Sequence, residues 1–358
     1  MSARIGVIGG GQLARMLFNE ALNLDIDISF LVRPTDEGIL GRAAQVQVGE
    51  LDVESLLRFA ETVDVITFEH ELTPISVLKE LEDRGVRLLP SSGTMEVAAN
   101  KLAQRELFAK LKLAVPRFAK LNADTVFEFP CIAKAITGGY DGRGVRWIND
   151  PSELTPLIES ETPWLLEELL EVDDEIAVLT VSTPDGEITS YPPVRTIQRD
   201  GICVEVQWPS GVAADLEERA QATATAIARE LGSVGVLAVE FFVVAGKLYI
   251  NEIAPRVHNS GHLTIEAAST SQFENHLRAV AGLPLGPTEF TTPAAMINLI
   301  GELGPIEEYQ PFPRTRLHLY GKERRPGRKV GHITATATSA AGASQLAHRA
   351  RERIVNHE

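Results

Sequence analysis

The sequence predicts a chain that is α/β at its start, α+β through its middle and β-rich near its end. Three observations carry that reading. Strand and helix signals alternate over the first hundred residues, glycine-rich turns follow apolar strand-like runs, and two acids, Glu240 and Glu252, end neighbouring strand-like runs late in the chain. The 358 residues, 44% apolar and 23% charged, suffice for two or three domains.

Residues 4–8 read as a buried strand, Gly9, Gly10 and Gly11 as a turn, and residues 12–23 as a helix with Leu13, Met16 and Leu17 on its apolar face. Further strands are predicted at 26–32, 63–68 and 86–89, an alternation that indicates parallel βαβ units. A Pro/Ser/Gly turn at 90–93 marks a domain boundary. A helix over 100–112 then leads to short strands at 131–135, 164–168, 175–181 and a run ending at Tyr191. A helix over 216–231 precedes the strands that carry Glu240 and Glu252. After Pro287 short strands alternate with Pro/Gly turns, and a tail helix begins near Ala340. The expected domains are 1–99, 100–290 and 291–358.

The formal net charge of −15 argues against a nucleic-acid partner, which requires a basic face. Local basic clusters remain, above all Lys322, Arg324, Arg325, Arg328 and Lys329 around Pro326 and Gly327. Cys131 and Cys203 lie far apart and form no CxxC, so neither a zinc site nor a disulfide scaffold is indicated. The N-terminus runs straight into a strand and no apolar run is long enough to cross a bilayer, so the expectation is a cytoplasmic protein.

The densest chemistry lies at 251–262. Asn251 and Glu252 offer hard oxygen ligands suited to a magnesium ion on nucleotide phosphates, and Glu240 on the neighbouring strand supplies a second acid. Arg256, His258 and Asn259 follow, suited to an anionic substrate just beyond. At 137–144 a glycine-rich hairpin loop lets backbone amides approach phosphates, and Lys134 at the strand end can reach them as a point charge. Glu167 and Glu168 end a strand before Leu169 and Leu170, a pattern suited to reading an adenine edge, and Glu175 leads into another strand. Glu69, His70 and Glu71 stand at the C-terminal end of a βαβ strand, where open α/β sheets place ligands. Glu69 or Glu71 is expected to contact substrate, and His70 to face solvent.

Gly9, Gly11 and Ala14 fit a GxGxxA fingerprint, which serves either to bind a phosphate at the helix start or to pack the helix on its strand. Arg33 and Pro34 stand where a dinucleotide-binding domain places its ribose acid, which speaks against a nicotinamide cofactor.

These motifs, with residues 271–274, 296–301 and 325–332, closely resemble the N5-carboxyaminoimidazole ribonucleotide synthetase family of the ATP-grasp superfamily, over nearly the whole chain. The resemblance implies an ATP-grasp fold: an N-terminal Rossmann-like domain, a central ATP-grasp domain and a small β-rich C-terminal module. It implies carboxylation of aminoimidazole ribonucleotide in purine biosynthesis, with ATP and bicarbonate consumed via carboxyphosphate, and Mg²⁺ (or Mn²⁺) as cofactor. By that resemblance Lys101 and Lys134 contact ATP phosphates beneath a loop of Gly139, Tyr140, Asp141, Gly142, Arg143, Gly144 and Val145. Glu167, Glu168, Leu169 and Leu170 read adenine, Glu175 holds the ribose, and Gln198 lies nearby where some members carry histidine. Glu240 and Glu252 bind metal, with Asn251 beside them. Glu71, Tyr140, Asp141, Arg143, Arg256, His258, Asn259, Lys322, Arg328 and Lys329 hold ribonucleotide and bicarbonate. The resemblance also implies a homodimer and a mutase on a separate chain. The alternatives are another ATP-grasp ligase, such as the formate-using glycinamide ribonucleotide transformylase, and a non-catalytic nucleotide-binding protein.

Overall fold

The computed structural model describes residues 3–139, 144–301, 303, 304 and 312–355. Near the N-terminus β1 (Ile5–Ile8), β2 (Ile28–Val32), β3 (Val46–Val48) and β4 (Val65–Phe68) form a parallel sheet in the order β3-β2-β1-β4. The helices α1 (Gln12–Asn23), α2 (Val53–Ala60) and α3 (Ile75–Asp83) alternate with these strands. Every residue of β1 is buried, as a strand covered on both faces requires. The strand predicted at 86–89 reduces to one bridge between Ile66 and Leu88. Pro90 follows, and without an N–H it cannot extend the pairing.

Two short helices, α4 (Ser92–Ala98) and α5 (Lys101–Lys110), lead onward, the second capped by the Asn100 side chain accepting from Ala103 N–H. A four-stranded antiparallel sheet follows in the order β5-β8-β6-β7, from β5 (Phe118–Lys120), β6 (Cys131–Ala135), β7 (Val145–Ile148) and β8 (Trp164–Glu168), with α6 (Thr155–Ile158) after β7.

The rest of the described chain builds one large sheet. Its strands are β9 (Asp174–Ser182), β10 (Ile188–Ser190), β11 (Val194–Arg199), β12 (Ile202–Trp208), β13 (Gly235–Val244), β14 (Lys247–Ala254), β15 (Ala294–Ile300), β16 (Thr315–Leu319) and β17 (Lys329–Thr336). The order is β14-β13-β9-β11-β12-β15-β17-β16, with β10 paired to β9. The helices are α7 (Ala214–Leu231), α8 (Thr264–Ala267), α9 (Gln272–Ala281) and α10 (Ala340–Val355). Because β12 pairs with β15, the C-terminal strands continue the central sheet.

Alternation along β9 and β13 serves both faces of this sheet. Ala177, Leu179, Val181 and Val236 pack with α9, α1 and the N-terminal sheet in one core. Ile176, Val178, Leu237 and Val239 pack against Ala220, Ala224 and Ile227 of α7 in another. Burying apolar surface at about 25 cal/mol per Å² makes the first core the glue between the N-terminal sheet and the central one. No described helix is long and apolar enough to cross a membrane.

Candidate functional site

The site grows from an irregularity in the β13–β14 pair. Glu240 lies directly opposite Glu252, but the next partners are Phe241 and Ile250, so Asn251 is an extra residue in β14. A bulge of this kind re-aims side chains. Asn251 and Glu252 are both half-buried between buried Ile250 and Ile253, and the Asn251 amide lies 3.5 Å from Glu240. Three oxygen-bearing side chains thus converge from two strands.

Cations meet them from two other elements. Lys101, the first residue of α5, pairs with Glu252. Lys134, near the end of β6, donates to Glu167 at 2.8 Å and to Asn251 Oδ1 at 3.2 Å. Glu167 in turn binds Arg105 of α5 at 2.7 Å, both side chains being almost fully buried. Burial opposes charge throughout, yet Glu252 holds Lys101 above its ordinary range, and Lys134 and Arg105 hold Glu167 below its own. Lys134 is the exception: burial, with Arg105 and Lys101 nearby, holds it below its usual range despite Glu167. Burial and the Glu252 charge push Glu240 well above the carboxylate range, whereas Lys101 holds Glu252 below it. For Glu252 the lysine outweighs burial, and for Glu240 burial and the neighbouring carboxylates outweigh the cations within reach.

Glu175 on β9 completes this side. Burial pushes its carboxyl up to about 7, and the Gln198 side chain hydrogen-bonds it from β11.

Beyond the acids, Arg256 donates to Glu71 at 2.9 Å, joining the 251–262 segment to the loop after β4. The His258 imidazole accepts from Ser260 N–H and lies 3.6 Å from Glu240. Asn259 exchanges two hydrogen bonds with Asn298 of β15, at 3.0 and 2.7 Å. Lys329 lies within electrostatic reach of Glu240.

Partners become visible for four of the expected features. The Glu69 carboxylate is buried and accepts from Gly11 and Ala14 N–H groups, so it closes the start of α1 rather than facing substrate. The first glycine turn therefore packs an internal anion, and a Cβ at Gly9 would meet Glu69 Cγ at 2.3 Å. The Glu167 side chain is held by two internal cations, Glu168 holds Arg117, and Leu169 and Leu170 follow directly. His70 is half-buried, its Nδ1 accepting from Leu72 N–H, rather than turned to solvent.

The basic run at 322–329 disperses. Lys322 donates to Gln12, Arg324 to the Leu303 carbonyl, Arg325 pairs with Glu323 and Arg328 with Glu37 at 3.2 Å. Gly139, Gly144 and Val145 flank the loop tip, while Tyr140, Asp141, Gly142 and Arg143 lie outside the described residues.

Sequence reasoning missed the supports. Arg105 and Gln104 sit unremarked in α5, yet Gln104 accepts from Ile253 N–H at 3.1 Å and so docks that helix under β14. Gln272 accepts from His258 N–H at 2.8 Å and donates to its carbonyl at 2.6 Å, fixing the histidine backbone. A Cβ at Gly261 would meet Gln272 Cδ at 2.5 Å, which explains a glycine there. Nothing local in the sequence announces either contact, because the partners are far apart in the chain.

Three domain families match in succession: a ribonucleotide synthetase preATP-grasp domain over 1–99, an ATP-grasp domain over 106–273 and a phosphoribosylaminoimidazole carboxylase C-terminal domain over 294–346. An N5-carboxyaminoimidazole ribonucleotide synthase of Mycobacterium leprae is 38% identical, over 99% of this chain and 88% of its own. That of Synechococcus elongatus is 37% identical over 99% and 94%. The crystal structure of the Thermus thermophilus synthetase superposes with a TM-score of 0.90 at 37% identity, covering 99% of both chains. An Aspergillus clavatus synthase in complex with ADP and 5-aminoimidazole ribonucleotide gives a TM-score of 0.89 at 31% identity, covering 98% of both.

Proposed function

Because this chain belongs to the N5-carboxyaminoimidazole ribonucleotide synthase family, we propose that the site around Glu240 and Glu252 serves its reaction, the ATP- and bicarbonate-dependent carboxylation of 5-aminoimidazole ribonucleotide. The chain is an ATP-grasp ligase that forms a C–N bond. A bicarbonate oxygen attacks the γ-phosphorus and ADP leaves. The substrate amine then attacks the carboxyl carbon and loses a proton, either as phosphate departs from carboxyphosphate or after phosphate has left CO₂ behind. The observation that carries this reading is the bulge that turns Asn251 and Glu252 to one side, opposite Glu240 and beside two lysines.

Among the described residues no cluster of three or more His, Cys, Asp or Glu side chains could hold a metal by itself. Two acids plus phosphate oxygens suit magnesium, which keeps few protein ligands. Burial and the Glu252 charge raise the Glu240 carboxyl, which a dication beside the two acids would bring back down, and when bound it would offset charge on the transferring phosphoryl group. Lys101 and Lys134 then grip the phosphates, with Gly139, Gly144 and Val145 beside them. The strand end at Glu167 to Leu170 borders adenine, and Glu175 with Gln198 borders the ribose. Arg256, His258, Asn259, Glu71, Lys322, Arg328 and Lys329 face ribonucleotide and bicarbonate. The same reading carries a cytoplasmic place, a homodimer and a mutase on a separate chain for the next step.

The test is ADP release with bicarbonate and aminoimidazole ribonucleotide each omitted in turn. Turnover that needs both supports the reading, and turnover dependent on formate instead of bicarbonate overturns it.

A further inference from the structure

The two acids of the loop after β4 point opposite ways. Glu71 reaches Arg256 at 2.9 Å, whereas Glu69, two residues earlier, turns into the protein. The Glu69 backbone N–H donates to the Ile8 carbonyl at 3.1 Å, just past the last β1–β4 partners, Ile8 and Phe68. Its carboxylate, 8% exposed, accepts from Gly11 N–H at 2.5 Å and from Ala14 N–H at 2.8 Å. No described lysine or arginine pairs with it, so the amides and positive end of α1 hold the charge.

The turn between β1 and α1 is shaped to this carboxylate. A Cβ at Gly9 would meet Glu69 Cγ at 2.3 Å, and one at Gly11 would meet Glu69 Oε1 at 2.8 Å. Among the described residues, Glu69 supplies the only side-chain hydrogen bonds between this turn and the loop after β4. Each of the two segments in turn holds a cation from elsewhere in the chain. Gln12, next to Gly11, accepts from Lys322, and Glu71 pairs with Arg256, two residues before His258.

We propose that Glu69 is a positioning residue for the ribonucleotide site. By locking the β1–α1 turn to the loop after β4, it fixes Gln12 and Glu71, and through them Lys322 and Arg256, at one spacing. Glu69 itself touches no substrate. The inference rests on the function proposed above.

Three variants test it. Glu69→Gln keeps the shape and one acceptor but turns amide hydrogens toward the second helix N–H. Glu69→Ala removes both acceptors. Gly11→Ala strains the same contact from the other side, because its Cβ would press on the carboxylate, while a φ of −84° admits alanine. Each should raise the KM for the ribonucleotide about tenfold, with kcat and the KM for ATP within about twofold of wild type. The Glu69→Gln, Gly11→Ala double variant should be no worse than its poorer parent, since both changes break one contact. Acetate, which fits the space left in Glu69→Ala, should restore part of the ribonucleotide affinity.

An unchanged ribonucleotide KM overturns the proposal, and so do additive losses in the double variant. A matching rise in the KM for ATP also overturns it, because that marks a general loosening of the fold. Should Glu69→Ala fail to fold, Glu69→Gln and Gly11→Ala carry the same comparison. Wild-type turnover is the control that separates the two readings. If it needs no ribonucleotide, the proposed function falls and this inference with it; if it does and the variants match it, only this inference falls.

Discussion

Glu240 and Glu252 face each other as direct cross-strand partners, and Lys101 ion-pairs with Glu252. Like charges placed opposite one another destabilise a sheet. Burial and that repulsion raise Glu240, whereas Lys101 holds Glu252 down. The pair is a local strain that a positively charged ligand relieves, so stability and activity should part company here.

Glu240→Gln and Glu252→Gln should lose activity alike and differ in stability. Either change removes a charged oxygen, and turnover should fall by roughly two orders of magnitude or more. Glu240→Gln also removes a buried carboxyl that the fold keeps from ionising, so the apo protein should melt at the same temperature or higher. Glu252→Gln strands Lys101 and should melt lower. Thermal melts without nucleotide, beside turnover at several Mg²⁺ concentrations, decide it. Wild-type turnover in either variant would refute the metal assignment.

Arg105→Met should be among the most destabilising substitutions in the central domain. It leaves Glu167, almost fully buried, with Lys134 alone. Breaking a buried ion pair from one side costs about 3–5 kcal/mol. Urea unfolding should show that loss, and the Arg105→Met, Glu167→Gln double variant should recover part of it. Purely additive losses in the cycle would mean that the two side chains do not act together.

Much of this was legible in the sequence where chemistry is local. The parallel N-terminal strands, the Glu240 and Glu252 strands and the tail helix all follow from periodicity and turn residues. What escaped depends on partners distant in sequence. The bulge at Asn251 exists only relative to β13, and nothing in residues 247–254 alone reveals the extra residue. Glu69 looked like a ligand-facing acid because strand ends in such sheets hold ligands, yet the turn between β1 and α1 takes its carboxylate. The basic run at 322–329 is plain in the sequence as charge, but the neighbours of its cations, Gln12, the Leu303 carbonyl and Glu37, are not.

Gln272→Leu should separate the two substrates. Its amide holds both the N–H and the carbonyl of His258, and it touches no acid of the Glu240 pair. Replacing it with an apolar side chain of similar size leaves the His258 N–H unpaired, worth about 1–3 kcal/mol when buried, and leaves its carbonyl with the Gly261 N–H alone. The KM for the ribonucleotide should rise severalfold while the KM for ATP stays near wild type. A matching rise in both would place the effect on the whole fold rather than on His258.

His276 should make the protein acid-labile in a defined window. It stands on α9, wholly buried, where Nδ1 accepts from Val236 N–H at 3.1 Å and Nε2–H therefore donates to Thr67 at 2.9 Å. The ring thus ties β4 of the N-terminal sheet to β13 of the central one, and Gly235, with a φ of +86°, has no room for a Cβ beside it. Burial lowers its pKa from 6.5 to about 4. Above about pH 6.5 neither state holds the proton, and the group has no pH-dependent effect. Between about 6.5 and 4 the unfolded chain binds a proton that the folded chain refuses, so stability falls as the pH falls. At one pH unit per 1.36 kcal/mol, the full loss is about 3 kcal/mol, complete near pH 4. His276→Gln keeps an acceptor and a donor but cannot titrate, so its stability should decline less steeply over this range. His262 and His332, buried and lowered in the same direction, titrate in both proteins, and the difference between the two unfolding curves isolates His276. Parallel curves from pH 7 to pH 4 would show that His276 takes up its proton in the folded protein as readily as in the unfolded chain.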